Sequence, residues 1–385
     1  MFQVAATGET FMTALEAAIA AISANTTSAP ESQLIAAKCR ALVVGYDQRY
    51  RDATYMPLEV EQTTVVPLLN PQTNRPSRLF SLAGKLDVVC TYHGQTILFD
   101  HKTTSLDIAD PNSPYWRQLV VEAQASHYCL LKWISGTKID GCVWDVLRKP
   151  SIAPKKLSKA EVRAVVSGLG YFGRSVSEHD KALVMQDERE TPAMYESRLL
   201  RDCTEERPDW YFQRRSVPRL DADILDYASD LWQHAADITA CRHVTERTGR
   251  WPQANSGACM LYGSPCKFLG ICSTYDTPDS DKWAHKTNVH TELPELRGDG
   301  RNLLTNSRVR CFQTCRRKHH FEYELGIERI DEEERESLLF GRFWHIALQA
   351  WWSTFLPKEP DNGNCIESPG TESDNISARQ APVSC

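Results

Sequence analysis

Between Tyr55 and Thr104 the chain carries β-type apolar runs at 63–69, 78–82, 86–92 and 96–99, separated by turn signals at Asn70-Pro71, Asn74 to Pro76 and His93-Gly94. Runs joined by such short turns pair with their neighbours, so the segment is expected to fold as a strand meander. After Pro114 the period changes. Trp116, Leu119, Val120, Ala123, His127, Leu130 and Leu131 recur at three- and four-residue intervals, which predicts one amphipathic helix, and 141–147 reads as a further strand. Ahead of the meander, residues 11–50 are Ala-rich and helical in pattern, with a polar break from Asn25 to Pro30 that divides them into two helices. Behind it, helices read at 159–169, opened by Ser158 as a cap, and at 221–241. Strands, helix, strand, helices is an α/β order: a mixed central sheet flanked by helices.

The rest of the chain divides by composition. Residues 11–272 hold the periodic segments. Residues 273–302 contain Pro278, Pro294, Gly298 and Gly300 with no apolar period and read as a linker. A helical segment follows at 303–352, and the acidic, Ser- and Pro-rich stretch 353–385 reads as a disordered tail. With 385 residues, 42% of them hydrophobic, a sizeable core is available. The formal charge is −6, so any nucleic-acid contact must come from a local basic patch, such as Trp210 to Arg215 or Arg316 to Lys318. No apolar run is long enough to span a membrane, and Met1 to Phe11 lacks a secretory pattern, so a cytoplasmic protein with no membrane contact is expected.

Two groups of residues point to chemistry. Asp87 is followed, after twelve intervening residues, by Asp100-His101-Lys102. A hairpin turning at His93-Gly94 brings Asp87 towards Asp100, and strand alternation puts Asp100 and Lys102 on one face. Paired carboxylates suit Mg²⁺ or Mn²⁺, hard cations that take oxygen ligands, and a neighbouring ammonium can stabilise charge developing on a phosphate. Gln124 and Tyr128 stand four apart on the following helix. The second group is Cys259, Cys266 and Cys272 among Gly257, Gly263, Pro265 and Gly270, a C-x6-C-x5-C pattern that reads as a metal loop. Cys39, Cys90, Cys129, Cys142, Cys203 and Cys241 are scattered and read as packed thiols.

Taken in order, Gly84-Lys85-Leu86-Asp87, Asp100-His101-Lys102, Gln124 with Tyr128, and a late cysteine triplet resemble the RecB-type branch of the PD-(D/E)XK nuclease superfamily. The resemblance implies a restriction-endonuclease-like core, with Asp87 and Asp100 as metal ligands and Lys102 as the catalytic lysine. Gln124 and Tyr128 would line the DNA side of the site. Glu61, or its neighbour Glu59, would be an early acidic ligand. In iron–sulfur members, AddB-like and CRISPR-associated, three late cysteines join one from the start of the domain around a 4Fe-4S cluster, with zinc as the alternative occupant. Here that start appears late, as Cys315-Arg316-Arg317-Lys318-His319 and Gly341 to His345. Cys315 would be the fourth cluster ligand and His345 a metal ligand, although Arg316 stands where the family usually has proline. Residues 303–352 would precede residue 11 in an ordinary member. They read as an intramolecular permutation, the truncated start of a second copy, or the product of a broken reading frame. The implied activity is metal-dependent cleavage of DNA, exonuclease-like, in repair, recombination or a phage-related setting, with a helicase or recombination partner. A non-catalytic iron–sulfur or zinc protein that binds DNA or acts as a scaffold is the competing reading.

Overall fold

The structure, a computed structural model, describes residues 8–357 apart from 52, 253, 295, 297–299 and 331–334. Helices α1 (Gly8–Asn25) and α2 (Pro30–Tyr50) are the predicted pair, with Pro30 in the first turn of α2, where a missing N–H costs nothing. Strands β1 (Met56–Leu69), β2 (Pro76–Tyr92) and β3 (Gln95–Thr104) form the meander. His93 and Gly94, between β2 and β3, both have positive φ (48° and 81°), as the tight hairpin turn demands. The runs 78–82 and 86–92 are one strand rather than two, because Ala83, Gly84 and Lys85 continue the ladder opposite Val65, Thr64 and Thr63.

The helix expected after Pro114 is two, α3 (Pro114–Val120) and α4 (Ala123–Ile134). The break has a partner, since Arg219 donates to the carbonyls of Val120 and Glu122 at 2.9 Å each. Strand β4 (Gly141–Arg148) then joins β3 in parallel, and β5 (Phe212–Val217) closes the row antiparallel to β4. Between β4 and β5 lie α5 (Lys159–Val166), opened by the Ser158 capping box, α6 (Glu178–Asp187), α7 (Pro192–Arg201) and α8 (Pro208–Tyr211). The first three share a small core of Leu157, Val165, Tyr171, Val184 and Met194, and α7 packs on α2.

After β5 come α9 (Asp221–Thr248), α10 (Leu269–Cys272), β6 (Trp283–His285), β7 (Leu303–Leu304), α11 (Asn306–Thr314), α12 (Arg316–His319), β8 (Ile327–Arg329) and α13 (Glu336–Ser353). The stretch 273–302 is no free tether: β6 pairs with β8, and His290 and Leu293 are fully buried. Strand β7 runs parallel to β2, with Leu303 and Leu304 opposite Ser81 and Leu82. The sheet is therefore mixed, in the order β1-β2-β3-β4-β5 with β7 beside β2. Beyond Ser353 the chain makes a turn in which Phe355 packs edge-on against Trp351, and the expected disordered tail lies outside the described residues from 358 onwards. Among the described residues no helix is long and apolar enough to cross a membrane.

Helices cover both sides of the sheet, in agreement with the expected α/β class. One apolar layer joins Leu82, Leu98, Trp144 and Val146 to α4, α9 and α11; the other joins Val88, Phe99 and Leu147 to α1, α2 and α13. Within the second layer lies a buried polar knot that composition could not reveal. Asp145 on β4 accepts from the Tyr46 hydroxyl (2.6 Å), faces Arg214 (3.2 Å), and has His101 Nδ1 at 3.3 Å. Burial pushes the Asp145 carboxyl up, but Arg214, His101 and Tyr46 outweigh it and hold it well below the usual carboxylate range. A folded-state pKa below the unfolded one stabilises the protein above the ordinary carboxylate pKa of about 3.9 and is lost as the pH falls. Asp145→Asn, which leaves Arg214 buried without its counter-charge, is expected to cost about 3–5 kcal/mol at neutral pH. Urea unfolding should show that difference narrowing as acid protonates the wild-type carboxylate.

Candidate active site

On the edge of β2 facing β3, the ladder runs from Tyr92 down to Val88, opposite Phe99, and resumes only at Leu82 and Ser81, opposite β7. The interval holds Gly84, Lys85 and Asp87, and this is where the side chains singled out in the sequence converge. One further step of the β2–β3 register would set Asp87 opposite Asp100. Instead of a ladder bond, the backbone N–H of His101 donates to Asp87 Oδ2 at 2.6 Å. Asp100 and Lys102 share a face as expected, with Lys102 Nζ 2.5 Å from Asp100 Oδ2. The same ammonium donates to Gln124 Oε1 at 2.7 Å, and Gln124 Nε2 donates to the Tyr128 hydroxyl at 2.9 Å. The lysine is thereby fixed between a carboxylate from its own strand and an amide from α4, with the Trp144 ring 5.1 Å from its charge.

Glu61 enters from β1 by an unusual backbone. Its φ is 51°, left-handed in the middle of a strand, a conformation that costs a non-glycine residue on the order of 1 kcal/mol or more. The kink breaks the two-residue alternation. Glu59 turns to Lys132 of α4 at 2.6 Å, whereas Glu61 meets Lys85 at 2.9 Å and His345 Nδ1 at 3.6 Å. His345 Nδ1 is also 3.9 Å from Asp87 Oδ1. Glu61, Asp87 and His345 each offer a ligand atom within 4.8 Å of the other two. Two carboxylates and an imidazole are a donor set that Mn²⁺ or Mg²⁺ can use.

The charges in this cleft depend on one another. Burial pushes the Asp100 carboxyl up to about 6, against the lowering pull of Lys102 and with the help of Asp87. Burial alone would lower the His345 imidazolium, but the charges of Asp87, Glu61 and Asp100 raise it to about 9. Glu61 would rise with burial, and His345 and Lys85 bring it below its ordinary value. The Tyr128 hydroxyl is pushed well above its usual range, first by burial and then by the Asp100 and Asp87 charges, so it remains a neutral donor or acceptor.

The glycine of the Gly84 to Asp87 run has a steric reason. A Cβ at Gly84 would lie 2.8 Å from Leu131 Cδ1 and 2.9 Å from Tyr128 Cε1, so only glycine lets α4 come down onto β2. Gly84→Ala should displace Tyr128 and cost about 1–3 kcal/mol, read as a fall in Tm. Gly341, one turn before His345, is under no such constraint: a Cβ there would meet only Thr103 Oγ1, at an ordinary 3.8 Å.

Cys259, Cys266 and Cys272 follow α9 in the chain, with the Cys266 N–H donating to the Cys259 carbonyl at 2.8 Å, and Cys315 stands at the junction of α11 and α12. Asn255 joins the two sides: its N–H donates to Cys315 Sγ at 3.4 Å, and its carbonyl lies 3.8 Å from Cys259 Sγ. The Cys272 thiol is pushed up by burial, drawn down by Arg317, and raised again by the nearby Cys266, Cys315 and Cys259. All four therefore share one neighbourhood.

The two basic runs are largely taken up by the fold. Arg214 is buried against Asp145, and Arg215 lies over Trp116 and donates to the Pro111 carbonyl. Arg316 pairs with Asp237 at 3.0 Å, and Arg317 donates to the Trp251 carbonyl. These cations are held by partners within the fold, Asp145 and Trp251 buried and Pro111 and Asp237 at the surface, which a count of basic residues cannot show. Nothing in the sequence pattern gives Lys85 a role, and its ion pair to Glu61 supplies one. The backbone N–H of His101 carries no side-chain signal at all.

Comparison with curated proteins and with solved structures gives no match. Residues 304–381, the part of the chain that delivers Cys315 and His345, match the family model of the PD-(D/E)XK nuclease superfamily.

Proposed function

We propose that this chain is a metal-dependent deoxyribonuclease whose site joins the β1–β3 meander to the late helix α13. The observation that carries the reading is the meeting of Glu61, Asp87 and His345, from three separate parts of the chain, within 4.8 Å and beside the Asp100–Lys102–Gln124 chain. Glu61, Asp87 and His345, with Asp100 next to them, would hold Mg²⁺ or Mn²⁺. When bound, such an ion supplies a Lewis acid that activates water and neutralises charge on the phosphate. Lys102 does the rest: fixed by Asp100 and Gln124, its ammonium faces the reacting phosphate and stabilises the charge that accumulates there. Tyr128 holds the Gln124 amide in the orientation that presents Oε1 to the lysine.

The cysteines serve the fold rather than the chemistry in this reading. A tetrahedral zinc spaces its sulfurs about 3.8 Å apart. Among the described residues no three thiols come within 4.8 Å of one another; a 4Fe-4S group, with zinc as the alternative, is what a set of thiolate ligands suits. Cys259, Cys266, Cys272 and Cys315 would then staple the α9–α10 loop to α11. Cys266→Ser should lose iron and visible absorbance and unfold at lower temperature, whereas retained iron would mean that these thiols are not its ligands.

The order of the segments is that of a permuted family domain, with 303–352 supplying the residues that usually come first. Supporting this, β7 adds to the β2 edge and α13 packs on α1, α2 and β1. The test of activity is cleavage of end-labelled duplex DNA and of covalently closed circles with Mg²⁺ or Mn²⁺, against a chelator control. The exonuclease-like reading, with a helicase or recombination partner in repair or phage recombination, predicts cutting of the linear substrate only. No cleavage of either substrate would leave the scaffold reading in its place.

A further inference from the structure

Two of the thiols that sequence alone reads as isolated are not isolated. Cys129 on α4 and Cys142 on β4 have their sulfurs 3.3 Å apart, and both are buried, at 3% and 4% exposure. Cys90 and Cys203, by contrast, face the backbone carbonyls of Ile97 and Ala41. We propose that Cys129 and Cys142 form a reactive dithiol that a peroxide-class oxidant converts to an intrachain disulfide, tying the helix that carries Gln124 and Tyr128 to the sheet.

Three observations support it. A disulfide holds its sulfurs ~2.0 Å apart, so closure from 3.3 Å asks little more than an ångström, shared between α4 and β4. The pair can also be reached. A cavity of about 120 Å³ lined by Cys129, Trp133, Ile139 and Ile224 opens beside the exposed ion pair Lys138–Asp221. A water takes up about 30 Å³ in the liquid, so a molecule the size of hydrogen peroxide fits. Finally, the two thiols differ in readiness. Either thiol can donate the hydrogen bond between them, but the cavity is lined by Cys129 and not by Cys142, and with Cys142 donating, that bond and then Arg219 lower the Cys129 thiol against burial. Arg219 is held there by its bond to Ser126 Oγ, one turn before Cys129. The attacking sulfur is therefore Cys129, and the resolving sulfur is Cys142.

The chemistry balances with one peroxide. The Cys129 sulfur attacks a peroxide oxygen; an S–O bond forms, the O–O bond breaks, and the departing hydroxide takes up the Cys129 proton as water. The Cys142 sulfur then attacks the sulfenic sulfur of Cys129; the S–S bond forms, the S–O bond breaks, and hydroxide leaves with the Cys142 proton as a second water. Two thiols and one hydrogen peroxide become one disulfide and two waters, and a small-molecule thiol reverses it by exchange.

This inference does not rest on the nuclease reading, and its test is chemical. Trypsin separates the two residues, because peptides 118–132 and 139–148 contain one cysteine each. The full-length protein is treated with stepwise hydrogen peroxide, residual thiols are alkylated, and the digest is read by mass spectrometry. The expected product is peptide 118–132 joined to 139–148, lighter by two hydrogens and released by dithiothreitol. In Cys142→Ser, Cys129 should instead be trapped by dimedone as the sulfenic acid. Both peptides separately alkylated in a sample where the exposed Met185 is already converted to the sulfoxide would overturn the proposal, as would a Cys129 that dimedone does not label in Cys142→Ser.

Discussion

Lys102→Ala should lower metal-dependent DNA cleavage by on the order of 10³-fold or more, with little change in far-ultraviolet circular dichroism. The lysine is 24% exposed at the cleft, so its removal leaves no cavity in either apolar layer. Its loss takes away the charge that compensates Asp100, whose carboxyl is already raised to about 6 by burial. Asp100 then takes up a proton more readily and stops serving as an anion beside the metal ligands. Asp100→Ala should have a comparable effect on cleavage. Either variant cutting at the wild-type rate would remove these residues from the reaction, and loss of cleavage with loss of helical signal would point to folding instead.

A chain ending at residue 302 should not hold the same fold. It would lack Leu304, Val309 and Phe312 from one apolar layer and Phe340, Phe343, Trp344, Trp351 and Trp352 from the other. Each large side chain stabilises by about 1.5–3 kcal/mol when buried. The aromatic residues of α13 alone therefore rival the roughly 5–15 kcal/mol by which a domain is stable. The expected result is a chain without a cooperative thermal transition, partly restored by a separate 303–357 peptide docking on the uncovered faces of α1, α2 and β1. A truncated chain that melts at the wild-type Tm and cleaves at the wild-type rate would show that the late segment is the stump of a second copy.

The hairpin and its charges were legible in the sequence because they are local. The turn at His93-Gly94 fixes the register that brings Asp87 to Asp100, and alternation alone places Lys102 beside Asp100. Helical spacing likewise put Gln124 and Tyr128 on one face. What escaped the sequence depends on contacts between distant segments or on backbone conformation. Nothing in Leu58-Glu59-Val60-Glu61 announces the left-handed φ that sends Glu61 to His345 and Glu59 to Lys132. The Asp145–Arg214–Tyr46 knot joins three elements, and in the sequence Arg214 is only one member of a candidate basic patch. The stretch 273–302 lacks a period because the three-residue strand β6 and single residues such as His290 and Leu293 anchor it, rather than one long helix or strand face. The position of α13 was suggested only by its likeness to the start of a family domain, since no pattern within one helix says which sheet it covers.

If α13 completes a metal site built on the β1–β3 meander, Mn²⁺ binding to the full chain shows it without recourse to activity. Titration followed by electron paramagnetic resonance should find a site whose affinity falls on the order of 10-fold or more in His345→Ala, as in Asp87→Ala, with Tm nearly unchanged because His345 is 39% exposed. Mn²⁺ bound by His345→Ala as tightly as by the wild type, while Asp87→Ala is impaired, would contradict the claim.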